Sequence, residues 1–288
     1  HRDLHSFPTR RSSDLPVSAD GKWYWKTDTS SDELDGHYFF YALYYDLVAE
    51  TEEEKRAVRE QVAALTDHLV VHNYRLVDHD GQPTRWAIFN PEEINEGHDF
   101  WQERGMNSLS ILAYLKVAEH ITGDAKYGRA ARVLLDRDGY AANAMIVKTH
   151  LGPGAGNQSD DEMIFMNYYG LLKYEKDPEL RQKYLMGFYS HFQNEQPEMN
   201  PMFNFLYAAV GRGGKFVDAF GETDLTPGGE WLEDGVETLK RLPLDRIDWP
   251  LKNSHRKDIV ALPEHTREDG AKGTGYRVNG KVLPVDER

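Results

Sequence analysis

Apolar residues recur at three- and four-residue steps along most of the chain, which is the spacing of one helix face. The pattern predicts a first helix from Ser31 to Val48, capped by Ser30 or Ser31, and a second from Thr51 to His72. Further helices are expected over residues 107–121, 126–135, 159–174, 178–191 and 231–241. Because the connections are short, neighbouring helices should pair as antiparallel hairpins.

One segment shows a strand pattern instead. Between Tyr74 and Trp86, the turn pair Asp80-Gly81 separates two short alternating runs, which predicts a small β-hairpin. No repeat has the fixed period of about 34 or 40 residues that is typical of regular helical solenoids. The sequence therefore predicts a mainly α protein whose helical hairpins form an α/α toroid, or an incomplete toroid.

Composition narrows the classes of protein to consider. Of the 288 residues, 40% are hydrophobic and 12% aromatic, which is enough for one large core or two modest ones. Cysteine is absent, so disulfides, thiolate metal sites and a cysteine nucleophile are excluded. No stretch approaches the roughly 18 apolar residues of a membrane span, so none is expected. The net charge of −14, without a basic stripe, argues against a nucleic-acid partner.

The two ends of the chain differ from the rest. The first fifteen residues, HRDLHSFPTRRSSDL, show no periodicity and resemble the translation of a sequencing-adapter read-through found at the ends of metagenomic gene calls. The last residues, GKVLPVDER, stop without a helix end or a turn. We therefore expect residues 1–15 to be an artefactual tail and residues 16–288 to be a single domain, truncated at both ends.

Several motifs carry a family resemblance. The segment ITGDAKY is similar to the TGD-x-x-Y turns of α/α-toroid glycosidases and lyases. Five others, DTSSDELDGHYF, VDHDGQPTRW, ERGMNSL, NQSDDE and LPLDRIDWPLKNSHR, together resemble a six-hairpin glycosidase-like family of bacterial toroid proteins of uncharacterised activity. The resemblance covers most of residues 23–288. It implies a toroid fold and a site at these motifs, and it leaves the reaction open.

Two of these motifs hold similar acidic clusters, each with a polar lead-in, a serine, acidic residues and then an aromatic-rich helix. Helix capping explains one such motif, because a serine followed by acids is a common helix start. In a toroid, however, the starts of the inner helices meet at one rim, where two clusters would line a shared cleft. The candidate catalytic carboxylates are Asp32, Glu33, Asp160, Asp161 and Glu162.

Paired carboxylates suit the cleavage of a glycosidic bond, which needs one protonated carboxyl and one ionised carboxylate. Clustering itself raises one pKa, because neighbouring like charges disfavour simultaneous ionisation. The sequence therefore favours a carbohydrate-active enzyme, a glycoside hydrolase, with an oligo- or polysaccharide as partner and no cofactor. It leaves open which carboxylate is the acid and which the base.

Histidines add further candidates. Glu33 and His37 stand four residues apart on one helix face, where they could form an acid/base pair, two metal ligands or a simple hydrogen-bonded pair. Because no third ligand has a fixed sequence spacing, no metal is predicted. His68 and His72 have the spacing of a zinc helix but lack the glutamate of H-E-x-x-H, so a structural role is expected.

Substrate-binding candidates lie in segments predicted to be loops, where binding residues concentrate. Arg85 or Arg256 could clamp a uronate carboxylate, although each could equally pair with one of the surplus acids. The full set of candidates is Asp28, Arg85, Trp86, Arg104, Asn157, His255 and Arg256.

Two alternatives to a hydrolase remain. In a polysaccharide lyase, His37 or His255 and a tyrosine would remove the proton next to a uronate carboxylate. A non-catalytic toroid would bind glycans without turnover. No P-loop, dinucleotide-binding or serine-hydrolase motif is present, which argues against those enzyme classes. Cysteine content leaves the compartment open, and a periplasmic or extracellular location is favoured.

Overall fold

Helices dominate the computed structural model, which describes residues 16–24, 27–148 and 158–241. The α-helices are α1 (Ser31–Leu47), α2 (Glu52–Val71), α3 (Pro91–Ile94), α4 (Arg104–Thr122), α5 (Ala125–Asp136), α6 (Tyr140–Asn143), α7 (Gln158–Tyr174), α8 (Pro178–Glu195), α9 (Pro201–Gly211) and α10 (Gly229–Arg241). The prediction of a mainly helical protein is confirmed. The predictions about residues 1–15 and the C-terminal end lie outside the described residues.

Two antiparallel hairpins interrupt the helices. Strands β1 (Arg75–Val77) and β2 (Pro83–Ile88) form the predicted hairpin after α2. Strands β3 (Lys215–Asp218) and β4 (Gly221–Asp224) form a second one between α9 and α10. The apolar pattern of the sequence does not predict this second hairpin.

Local chemistry sets the helix boundaries. At the start of α2, the Thr51 hydroxyl accepts a hydrogen bond from the backbone N–H of Glu54 at 3.2 Å, and the Glu54 carboxylate accepts from the Thr51 N–H at 3.0 Å. At the start of α8, Asp177 accepts from the N–H of Glu179 at 2.9 Å. These side chains satisfy N–H groups that have no partner within the helix, and so fix where each helix begins.

The TGD segment forms the connection between α4 and α5. Gly123 ends α4 in the left-handed conformation, with φ 72°. Asp124 then caps α5 by accepting a hydrogen bond from the N–H of Lys126 at 2.9 Å. The hydroxyl of Tyr127 donates to Asp67 on α2 at 3.0 Å. The motif therefore ends one helix, begins the next and anchors the pair to a third.

Helices α1, α4 and α7 run parallel to one another and are in mutual contact. The contacts follow the same order along each helix. Asp35 of α1 contacts Tyr114 and Asn167 in the middle of α4 and α7, and Asp46, further along α1, contacts His120 and Tyr174 near their ends. Between α4 and α7 the same order holds, since Ser110 contacts Asn167 and His120 stacks on Tyr174. The three helices therefore begin at the same end of the array.

Their partner helices run in the opposite direction. Across α1 and α2, Tyr38 meets Thr66 while Tyr45 meets Arg59. Across α7 and α8, the contacts pair early residues of one helix with late residues of the other, namely Tyr168 with Phe188 and Phe165 with Phe192. The predicted antiparallel hairpins are therefore present.

The core between these helices is rich in aromatic residues. Many of the largest fully buried side chains are tyrosines, whose hydroxyls must find partners because an unsatisfied buried hydroxyl costs free energy. Tyr38 bonds Thr66 at 2.7 Å, Tyr140 donates to a backbone carbonyl at 2.6 Å and Tyr168 to another at 2.5 Å. Within the described ranges, no helix has both the length and the apolar run that crossing a bilayer requires.

Candidate functional site

The starts of α1, α4 and α7 bring several polar side chains to one end of the helix array. Because α1 and α7 are parallel and in contact, the acidic segment at Asp32 and Glu33 lies at the same end as the one at residues 160–162. That these carboxylates line one shared cleft stays a prediction. The catalytic roles of the individual acids, Glu162 among them, stay predictions.

The acids at the start of α1 serve the helix cap. The Glu33 carboxylate accepts hydrogen bonds from the Ser30 backbone N–H at 2.8 Å and from the Ser30 hydroxyl at 2.9 Å, and Asp32 contacts the same hydroxyl. Capping, the simpler interpretation of this motif, therefore accounts for Glu33. His37 is exposed, and its ring stacks on Tyr41 with 5.8 Å between centroids.

Asp35, one turn further along α1, is a buried carboxyl that the sequence analysis did not single out. Only 1% of its surface is exposed. It accepts hydrogen bonds from the Tyr114 hydroxyl and, at 2.8 Å, from the Asn167 amide. Burial raises the pKa of Asp35 to about 7, although these hydrogen bonds oppose the shift. The aspartate thus joins all three parallel helices, and its carboxyl binds a proton more readily than an exposed aspartate does.

Lys148 connects two further carboxylates at this end. Its ammonium group pairs with Asp160 in the first turn of α7 and lies 3.8 Å from Oε2 of Glu103, which immediately precedes α4. All three side chains remain partly exposed. Burial raises the pKa of Glu103, and the negative charge of Asp160 adds to the rise while Lys148 opposes it. Two carboxylates with different environments therefore face one cation.

The second acid of α7 takes part in a separate, buried cluster. Asp161, His191 and Glu195 are 4%, 3% and 1% exposed. One possible ligand atom from each lies within 4.8 Å of the others, and Oδ1 of Asp161 is 3.7 Å from Nε2 of His191. Within the described ranges, no other three histidine, aspartate or glutamate side chains are grouped this closely. These residues could hold a metal ion.

A sequence signal for this cluster existed. His191 and Glu195 have the same four-residue spacing on one helix face that drew attention to Glu33 and His37. The sequence predicted that α8 would end near His191, but the helix continues to Glu195. The third member, Asp161, comes from another helix, so no spacing could have indicated it.

The predicted binding residues near α1 lie against the first β-hairpin. The Asp28 carboxylate accepts a hydrogen bond from the backbone N–H of Arg85 at 2.9 Å, and the Asp28 N–H donates to Asp78 at 2.8 Å. The Arg85 side chain is exposed and that of Trp86 half-buried. The hairpin therefore places both residues beside the segment that leads into α1.

The other predicted residues have different placements. The guanidinium of Arg104 donates to the carbonyls of Ile94 and Asn95, each at 3.0 Å, so it fixes the chain before α4, and its role in substrate binding stays a prediction. His68 accepts a hydrogen bond from the Val77 N–H at 3.0 Å, in keeping with a structural role. Three candidates, Asn157, His255 and Arg256, lie outside the described residues.

No protein-family model, curated protein or solved structure matches the chain. The resemblance of its motifs to six-hairpin glycosidase-like proteins therefore stays an expectation. What the chain does has to be inferred from its side chains.

This end of the array holds charges of both signs. Helix starts stabilise negative charge, and both α1 and α7 carry acidic residues in their first turns. The ammonium group of Lys148 contacts Glu103 and Asp160. A carboxyl with a raised pKa beside a carboxylate paired with an ammonium group is an arrangement that suits acid–base chemistry.

Proposed function

We propose that the protein is a carbohydrate-active enzyme of the glycoside hydrolase class, with its reaction centre at the starts of α4 and α7. The observation that carries the proposal is the pair of carboxylates, Glu103 and Asp160, that share the ammonium group of Lys148. Hydrolysis of a glycosidic bond needs two such groups in different protonation states.

The spacing of the two carboxylates supports this. Because both contact the same nitrogen atom, their contacting oxygens lie at most about 6 Å apart, which is compatible with the roughly 5 Å between the two carboxyls of retaining glycosidases and too short for inverting ones. Both side chains also keep part of their surface exposed, so a substrate could reach them.

The surroundings of Glu103 and Asp160 differ, and this difference is the basis for the catalytic roles that we propose for them. Glu103 has a pKa raised mainly by burial, which makes it the proton donor to the leaving oxygen. Asp160 is paired with Lys148 in the first turn of α7, and in this proposal it is the nucleophile or the base that activates water. Arg85 and Trp86, on the hairpin beside the segment that leads into α1, remain the candidates to contact the sugar.

The finer architecture belongs to the same proposal. Three parallel helices that begin at one end, two of them shown to be flanked by antiparallel partners, are what one segment of an α/α toroid requires. We propose an incomplete toroid in which α1, α4 and α7 are inner helices and α2, α5 and α8 outer ones. The inner starts would then form the floor of the cleft.

The test is a substrate screen with matched variants. The full chain is incubated with a panel of plant and algal oligosaccharides, and new reducing ends are measured. Glu103→Gln and Asp160→Asn should each lower turnover at least 100-fold, because an amide keeps the shape but cannot transfer the proton. Glu93→Gln, which alters a glutamate paired with Arg75 at 2.9 Å, should stay within about twofold of the parent.

Circular dichroism establishes that each variant is folded before its turnover is compared. Full activity in both Glu103→Gln and Asp160→Asn on a confirmed substrate would show that this pair is not the catalytic one.

The same screen separates the alternatives. A polysaccharide lyase leaves an unsaturated sugar that absorbs in the near ultraviolet, whereas the product of a hydrolase is saturated and does not absorb there. A lyase stays the second proposal because His37 and Tyr41 stack on one another on α1, and a histidine and a tyrosine are the groups that would remove the proton. Binding of an oligosaccharide without any product would instead support a glycan-binding protein.

A further inference from the structure

We infer that Asp161, His191 and Glu195 form a binding site for one divalent transition-metal ion. The three side chains come from the first turn of α7 and the last turns of α8, which run antiparallel and so bring these two helix ends together. The inference does not rest on the proposed function, because it concerns a buried cluster that makes no use of Glu103 or a sugar.

Geometry is the first argument. In a tetrahedral zinc site, bonds of about 2.0 to 2.2 Å place neighbouring ligand atoms about 3.4 Å apart. Oδ1 of Asp161 and Nε2 of His191 are 3.7 Å apart, and all three ligand atoms lie within 4.8 Å of one another. Small side-chain movements would therefore bring them to coordination distance. His191 and Glu195 already share one face of α8.

Charge is the second argument. The two carboxyl groups of the cluster are 4% and 1% exposed, and burying an ionised carboxylate is costly unless a cation binds it. A divalent cation bound to two carboxylates and a neutral imidazole would bring the net charge of the cluster to zero.

The ligand set selects the kind of ion. An imidazole nitrogen favours zinc, copper, iron or nickel over calcium and magnesium, and the two carboxylates also suit manganese. Three protein ligands also leave a fourth position for water. Phe165, whose ring lies 5.3 Å from that of His191 and stacks on Phe203, provides an apolar surrounding that strengthens interactions between ion and ligand. Zn²⁺ and Mn²⁺ are therefore the ions to test.

Isothermal titration calorimetry on tag-free, chelator-treated full chain tests the site. Zn²⁺ or Mn²⁺ should bind one ion per chain with a Kd of about 1 μM or lower, and the bound ion should raise the melting temperature by several degrees. His191→Gln and Glu195→Gln should weaken binding at least 100-fold. His120→Gln, which alters a histidine 2.8 Å from Asp46 at the opposite end of α4, should leave the affinity within twofold of the parent.

A measurement on the unaltered protein covers the case in which a variant fails to fold. X-ray absorption at the zinc edge should show one imidazole nitrogen and otherwise oxygen ligands. A Kd weaker than about 1 mM for both ions, unchanged affinity in folded Glu195→Gln, or a spectrum without imidazole would overturn the inference. Because no sugar is present in these measurements, their outcome is independent of the hydrolase assay.

Discussion

Replacing Gly105 by alanine tests how the site is held together. Gly105 is buried in the first turn of α4, next to Glu103, and its backbone packs directly on that of Ile146 and Val147. An added Cβ would overlap the carbonyl oxygen of Ile146 and lie 2.6 Å from the Cα of Val147. Both are backbone atoms, so no side-chain rotation relieves the overlap, and the segment that leads to Lys148 has to move.

The magnitude follows from two opposing effects. Overpacking a buried position costs about 1 to 3 kcal/mol, and this one belongs at the upper end because the backbone must shift. Alanine gains up to about 1 kcal/mol over glycine within a helix, and less in the first turn. We therefore expect Gly105→Ala to lower the free energy of unfolding by about 2 kcal/mol, a sizeable share of the stability of a typical domain.

Gly36 supplies the matched control. It lies in α1, and a Cβ there would meet no atom within 4 Å, so Gly36→Ala should raise the free energy of unfolding by about 0.5 to 1 kcal/mol. Urea unfolding followed by circular dichroism measures both variants. If Gly105→Ala is as stable as the parent, or if both variants lose the same amount, the close backbone approach is not the reason for glycine at position 105.

Two further predictions concern the pKa of Asp35 and the hydrogen bond between Tyr127 and Asp67. Burial raises the pKa of Asp35 to about 7. Between about pH 4 and 7, therefore, the folded protein holds a proton that the unfolded chain releases, and the free energy of unfolding should fall as pH rises through this window. In urea titrations, Asp35→Asn should remove this pH dependence of the free energy of unfolding and should be more stable than the parent by up to about 4 kcal/mol at pH 8. If the pH dependence is the same in the variant, Asp35 is not its source. Tyr127→Phe, which removes the hydroxyl donated to Asp67 at 3.0 Å, should cost about 1 kcal/mol in the same assay, and equal stability would show that this bond contributes nothing.

The helices could be predicted from the sequence because their signals are local. Periodic apolar residues fall on the observed helices, and the caps at Thr51, Asp124 and Asp177 lie where short-range hydrogen bonding places them. The end of α8 was placed a turn too early because residues 192–195 continue the helix with mainly polar side chains. Proline at position 197, two residues after the helix ends, is the local signal for the true end of α8, because proline disfavours continuation of a helix.

The site was predictable only in part. The acids at the starts of α1 and α7 could be named in advance because helix starts attract them. The remaining side chains at this end of the fold come from separate segments, namely those of Lys148, Glu103 and His191. Sequence spacing carries no information about contacts between segments that are far apart along the chain. Asp35 was missed for a related reason, because one acidic residue within a helix has no local signature of burial.

The first turn of α7 shows why its acidic segment exceeds what a helix cap requires. Successive residues of a helix point about 100° apart, so Asp160 and Asp161 face different neighbours. Asp160 is directed to Lys148 and Glu103, and Asp161 to His191 on α8. In α1, by contrast, Glu33 is used by the cap. The acids of the two motifs therefore have different contacts, since Glu33 serves the cap of α1 whereas Asp160 and Asp161 contact side chains from other segments. Because Asp160 is not part of the proposed metal site, Asp160→Asn should bind Zn²⁺ within twofold of the parent affinity in the calorimetric titration, and a large loss would contradict this separation.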